Sequence, residues 1–216
     1  MNISTMIQQL SEGMVISIQI FFATLLFSIP LGAIICYGRL SKNKFIRKFT
    51  SLYISLMRGT PLVLQLLVVY FGPYYLFGIS ISPGYKMIAV IIGFSINYAA
   101  YFAEIYRGGI LSIDEKLYEA AMVFGYSRRH TFFIIILPLL IKRILPATTN
   151  EIITLVKDTT LAFVLAVAEV FTIAKQIASS QTTMLPFMIA GVFYFVFNYI
   201  VQYIMEYLEK KLCDYE

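Results

Sequence analysis

Ten polar or ionisable side chains stand where this sequence is otherwise apolar: Arg58, Gln65, Asn97, Tyr98, Glu104, Arg107, Asn150, Glu151, Lys157 and Asp158. Groups of this kind set in hydrocarbon are costly, and they are usually paired or functional. They form no nucleophile–base or metal-ligand pattern. The single histidine, His130, stands in a basic run, and Cys36 and Cys213 lie too far apart for a ligand motif and read as packing thiols. No Gly-x-x-x-x-Gly-Lys-Ser/Thr run is present to cradle a nucleotide. The chemistry open to these residues is pairing, gating or the lining of a hydrated path. Arg58 and Glu104, at similar depth, can pair across helices as a clamp or as a gate, or an arginine can snorkel to the interface. Gln65 is read two turns along one helix from Arg58, with Asn97 and Tyr98 at similar depth on the next span. Asn150 and Glu151 fall mid-way along another. The amides can equally serve as interhelical hydrogen bonds, worth less than about 2 kcal/mol each in membranes; a lone Glu151 carboxylate points to a path. Lys157 and Asp158 either pair with each other or form part of an outer gate.

Those depths presuppose a bilayer, and composition supplies it. Of 216 residues 59% are hydrophobic and 13% charged, with a mean hydropathy of +0.79, against about 25% charged residues in soluble domains. No formal charge falls between Glu12 and Arg39, between Arg58 and Lys86, or between Lys175 and Glu206. Each run exceeds the ~20 residues that cross a bilayer as a helix, and continuous rather than alternating apolarity means helices. The predicted fold class is an all-α polytopic membrane protein with five transmembrane helices, at about 13–38 (kinked by Pro30), 50–77, 87–106, 137–155 and 185–207. The start, MNISTMIQQLSEG, has no basic n-region and does not read as a cleaved signal.

The net charge of +5 is spread over short connections rather than one face, which argues against nucleic acid. Arg39, Lys42, Lys44, Arg47 and Lys48 crowd the first connection, and counting all connections puts eleven cations on one side and three (Lys86, Lys157, Lys175) on the other. The positive-inside rule then predicts the N-terminus out and the C-terminus in. The 216 residues read as a single transmembrane domain, with a core at about 13–208, a cytoplasmic loop at about 107–130 and, at 156–184, a re-entrant or surface-lying helix on the outer face. A turn at Pro83-Gly84 joins the second and third spans.

The loop 107–130 is the longest polar stretch. Ser112 with Glu115 matches a capping box, and Gly125 can supply a left-handed cap. Ile113, Leu117, Ala120, Ala121 and Phe124 recur every three or four residues as one apolar stripe. Such a short charged helix is either a docking knob for a partner protein or a connector on the membrane surface, with Arg128 and Arg129 at the head groups.

The wording of the loop, Glu119-Ala120-Ala121, then Gly125, then Ile136-Leu137-Pro138, resembles the EAA loop of ABC importer permeases. MRGTPLVLQLLVVYFG (57–72), NYAAYFAEIYRGGILSI (97–113) and LPATTNEIITLVKDTTL (145–161) resemble, in order, segments of the permeases for polar amino acids. The family's usual Pro-x-Gly-Gln ahead of the triplet is here Asp114-Glu115-Lys116-Leu117, which should make the entry turn more charged and more helical, and Leu139-Leu140 replaces Gln-Ala. The resemblance implies a MetI-like permease fold in the cell membrane of a prokaryote. It implies two ATP-binding cassette subunits docked on Leu117, Glu119, Ala120, Ala121, Phe124 and Gly125, with ATP and Mg in those subunits and no cofactor in this chain. It further implies a second permease subunit, identical or related, and an extracytoplasmic solute-binding protein. The pathway residues would then solvate a zwitterionic amino acid. An ion- or proton-coupled secondary transporter would instead use Glu104, Glu151 and Glu169, but the inverted repeats such a carrier often shows are not seen. A non-transporting scaffold leaves the intramembrane charges unexplained.

Overall fold

The computed structural model describes residues 2–82 and 84–213, and within them the chain is helix and connecting loop. Pro83 of the expected turn lies outside the described residues. Helix α1 (Ile3–Arg39) runs through Pro30 without a break and starts ten residues earlier than hydropathy suggested. Its added N-terminal turns are held by packing: Met6, Leu10 and Met14 are buried against Val170, Ala174 and Ile177.

The second expected span is broken. Helices α2 (Lys44–Gly59) and α3 (Leu62–Phe77) meet at a bend of 111°. The cause is local. Thr60 precedes Pro61, whose ring disfavours helical backbone in the residue before it, and Thr60 is extended at φ −121°, ψ 148°. Gln65 and Arg58 therefore belong to different helices, not to one.

Helix α4 (Tyr85–Leu111) is longer than expected at both ends and forms the centre of the core. Phe94, Tyr98 and Phe102 are fully enclosed between Ile20 and Phe21 of α1, Leu66 of α3, and Leu155 and Val156 further on. After the short helix α5 (Lys116–Val123) and one turn, α6 (Arg128–Thr131), the chain passes through a π segment (Phe132–Ile136) into α7 (Leu137–Asp158). Pro138 has no N–H to offer the carbonyl four residues back, and the turn ahead of it widens accordingly. A 3₁₀ stretch (Thr159–Leu165) and a left-handed Ala166 (φ 50°) lead to α8 (Val170–Gln181), and α9 (Leu185–Cys213) closes the chain.

Among the described residues four helical stretches are long and apolar enough to cross a membrane, or five when the bent α2–α3 pair counts as one span. Helix α8, with 12 residues, is about 18 Å long and too short to cross. Its N-cap is Glu169, fully buried, whose carboxylate accepts from the Phe171 and Thr172 N–H groups at 2.7 and 2.6 Å, from the Thr172 hydroxyl at 2.7 Å and from the Tyr194 hydroxyl at 2.9 Å. Burial raises the Glu169 carboxyl above the usual range, against the pull of those four donors. A carboxylate so fully engaged is a fastening between α8 and α9.

Candidate functional site

Two places gather the candidate residues. The first is the knob formed by α5 and its flanks. Helix α4 carries on to Leu111, so Ser112 ends that helix instead of starting the next: its N–H donates to the Gly108 carbonyl at 3.1 Å and its hydroxyl to the Gly109 carbonyl at 2.7 Å. Glu115 and the residues after it take helical backbone, but the Ser112–Glu115 capping box does not form. Asp114 replaces it, its Oδ1 accepting from the Lys116 N–H at 2.9 Å. The guanidinium of Arg143 on α7 donates to the Ser112 carbonyl and hydroxyl, which ties the start of the knob to the following span.

At the other end Gly125 takes φ 81°, as a left-handed cap requires, and the Tyr126 N–H reaches back to the Ala121 carbonyl at 3.1 Å. The expected single stripe splits in two. Ile113 and Ala121 are buried and Leu117 is half-buried, with Ile113 and Leu117 packed beside Ile136 and Leu140. Helix α5 ends at Val123, so Phe124 no longer follows the helical period; it is 81% exposed and Val123 86%. Ala120 and Glu119 are also exposed. The knob is thus anchored through one face and presents Glu119, Ala120, Val123 and Phe124 outward. Beside it, Glu115, Tyr118, Glu119, Met122, Arg128 and Thr131 line a hollow of about 590 Å³.

The second place is the break between α2 and α3. A broken helix leaves its last carbonyls without partners, and here side-chain amides supply them. Gln65 donates to the Met57 and Thr60 carbonyls at 2.9 and 3.1 Å, and Asn97 donates to Met57 O at 3.0 Å and to Gln65 Oε1 at 2.9 Å. Both amides are buried. Above this clamp lies a cavity of about 370 Å³. Thr60, Pro61 and Leu62 form one wall, Asn97, Tyr98 and Tyr101 of α4 a second, and Glu151, Thr154 and Asp158 of α7 a third, with Leu161 beside them. The Tyr98 hydroxyl donates to Asp158 Oδ2 at 2.7 Å. Glu151 has no ion-pair partner within 4 Å among the described residues.

Several expected pairings give way to others. Arg58 does not meet Glu104; its guanidinium stands over the Tyr101 ring, 5.3 Å from the centroid. Glu104 instead accepts from Arg107, one turn on along the same helix, at 2.7 Å, and lies 3.9 Å from Arg39 of α1. Nearness at i, i+3 wins over a partner on another helix. Lys157 does not pair with Asp158 but is exposed, and Asn150 is exposed and outside the cavity. Tyr101, Thr60 and Thr154 were missed by sequence reasoning. Tyr101 follows Asn97 by four and Thr154 follows Glu151 by three, a same-face spacing that could have found both.

Residues 28–213 match the family model described as "Binding-protein-dependent transport system inner membrane component". The chain is 32% identical over 203 residues to the putative glutamine transport system permease protein GlnP of Rickettsia bellii, covering 93% of this chain and 91% of that one. It is 34% identical over 202 residues to the arginine transport system permease protein ArtQ of Bacillus subtilis, again covering 93% and 91%. Among solved structures, that of an amino acid ABC transporter with histidines superposes with a TM-score of 0.85 at 30% identity, over 94% of each chain.

Proposed function

Because the chain belongs to the family of inner-membrane components of binding-protein-dependent transport systems, we propose that it is the permease subunit of an ATP-driven importer that moves a polar amino acid into the cell. The observation that carries this reading is the knob, fixed from within by Ile113 and Leu117 and offering Val123 and Phe124 outward. A short helix so anchored transmits a push from a docked partner instead of absorbing it.

Two ATP-binding cassette subunits would dock there, holding ATP and Mg and carrying out hydrolysis, so this chain is not itself an enzyme. A second permease, identical or related, would face the cavity at the α2–α3 break and complete the path. A solute-binding protein would deliver substrate from outside. In this arrangement the chain sits in the cell membrane of a prokaryote with its N-terminus out and its C-terminus in. Closure of the ATPase pair would draw the two knobs together and swing α4 and α7, which flank each knob, so that the path alternates between the two sides. In the cavity the Glu151 carboxylate, which has no ion-pair partner among the described residues, would take the ammonium group of a substrate.

Proteoliposomes holding the permease, its ATP-binding subunit and its binding protein test this. Uptake of labelled glutamine, arginine or cystine is expected to require internal ATP and to survive collapse of ion gradients. Uptake driven by a gradient in the absence of ATP would establish a secondary transporter instead.

A further inference from the structure

The first connection and α2 hold a basic groove that the transport reading leaves unused. Arg39, Lys44, Arg47, Lys48, Ser51 and Ser55 line a hollow of about 580 Å³. Lys44, Lys48, Ser51 and Ser55 recur every three or four residues and share one side of α2. Phe45, Phe49, Leu52 and Leu56 recur in the same way on the adjoining side, where they are 79%, 67%, 65% and 54% exposed. The remaining side is fixed: Ile54 is buried with Cys36, Ala100 and Ala103, and the Tyr53 hydroxyl donates to the Ile96 carbonyl.

The charges in the groove are unbalanced. Lys44, Arg47 and Lys48 all fall within the first five residues of a helix whose first turn has no acidic residue, where the positive end of the helix dipole repels them. Among the described residues no carboxylate comes within 4 Å of any of the three. Arg39 reaches only Glu104 at 3.9 Å, a carboxylate that Arg107 already holds at 2.7 Å. An anion in the groove would neutralise what the chain does not.

We propose that this groove binds the phosphate of an anionic phospholipid of the inner leaflet, with the Ser51 and Ser55 hydroxyls as further donors and the acyl chains lying along Phe45, Phe49, Leu52 and Leu56. That apolar stripe selects a lipid over a free anion, because phosphate alone would leave it uncovered. The site rests on the membrane orientation proposed above, which puts residues 40–48 at the inner face, where basic groups meet anionic head groups.

The test is lipid retention by the purified full chain in mixed micelles of phosphatidylcholine with phosphatidylglycerol, counted by native mass spectrometry. Wild type is expected to retain phosphatidylglycerol. Lys44→Gln/Arg47→Gln/Lys48→Gln should bind it roughly fivefold more weakly per cation removed, or about a hundredfold in all. Lys210→Gln/Lys211→Gln, which alters the basic pair at the other inner end, should change retention far less. Should the triple variant not accumulate, Ser51→Leu/Ser55→Leu fills the groove without touching a charge and is expected to lower retention too. Equal retention by wild type and groove variants overturns the inference, as does displacement of the lipid by millimolar inorganic phosphate. Loss of a bound ATP-binding subunit from the variant with lipid retention intact also overturns it, and would assign the groove to that subunit. ATP-driven uptake is measured separately, so failure of the lipid site and failure of the transport reading are distinguishable.

Discussion

Two adjacent glycines near the C-terminal end of α4 should respond oppositely to the same added methyl group. A Cβ on Gly109 would stand 2.3 Å from Ile144 Cγ2 and 2.8 Å from Leu140 Cδ1, whereas one on Gly108 meets nothing within 4 Å. Carbon atoms rest about 3.5–4.0 Å apart. Helices α4 and α7 would therefore have to part by about 1 Å, or Ile144 would have to leave the single χ1 well that a β-branched side chain prefers in a helix. Overpacking of this kind costs about 1–3 kcal/mol, partly offset by the ~1 kcal/mol that alanine gains over glycine in a helix interior. Gly108→Ala takes the gain alone. The two variants should thus differ by about 1–3 kcal/mol, which for a chain of this size separates their unfolding midpoints by roughly 2–12 °C. The disturbance also reaches the knob, since Arg143 of α7 holds Ser112 three residues beyond Gly109. Coupled ATP hydrolysis should accordingly fall in Gly109→Ala while the protein is still folded. Thermal unfolding of the two purified variants side by side is the assay. Equal midpoints, or Gly108→Ala as the less stable, would refute the packing argument.

Tyr98→Phe removes the hydroxyl that donates to Asp158 at 2.7 Å; leaving that acceptor unmatched costs about 1–3 kcal/mol. Initial uptake rates against substrate concentration should show weakened transport with the ATP-binding subunit still bound. Gln65→Leu strips donors from the Met57 and Thr60 carbonyls and an acceptor from Asn97, for a loss of about 2–3 kcal/mol. Because the two amides share a bond, Gln65→Leu/Asn97→Leu should cost less than the sum of the single changes, which melting of all four proteins measures. Gly125→Val forces a β-branched residue to φ 81° at about 1–2 kcal/mol, whereas Gly125→Asn keeps the left-handed cap. ATP hydrolysis coupled to transport should be lost in the first and kept in the second.

The long apolar runs were legible because hydropathy is a local property. α1, α4 and α9 follow from it to within a few turns, and the left-handed Gly125 follows from its place after the helix. The rest depended on partners distant in sequence. Hydropathy runs unbroken across Thr60-Pro61, so the stretch reads as one span. The clue to the break was not the proline alone but two amides, Gln65 and Asn97, 32 positions apart, which satisfy its carbonyls. Ser112 has the spacing of a cap, yet α4 outruns its apolar run and Arg143, 31 positions away, claims the serine. Phe124 fits a stripe only if α5 lasts one residue longer than it does. Glu104 and Arg107 carried their pairing openly in an i, i+3 spacing, and the more distant Arg58 drew attention away from it.

Site-specific cross-linking from the knob bears most directly on the importer reading. With Cys36 and Cys213 replaced by alanine, single cysteines are introduced as Val123→Cys, Phe124→Cys and Ala121→Cys in a chain assembled with its ATP-binding subunit. The first two positions are 86% and 81% exposed and the third 3%. Val123→Cys and Phe124→Cys should cross-link to the ATP-binding subunit and Ala121→Cys should not. A complex that hydrolyses ATP and transports while neither exposed position cross-links, or in which Ala121→Cys links as readily as they do, would contradict docking at this knob.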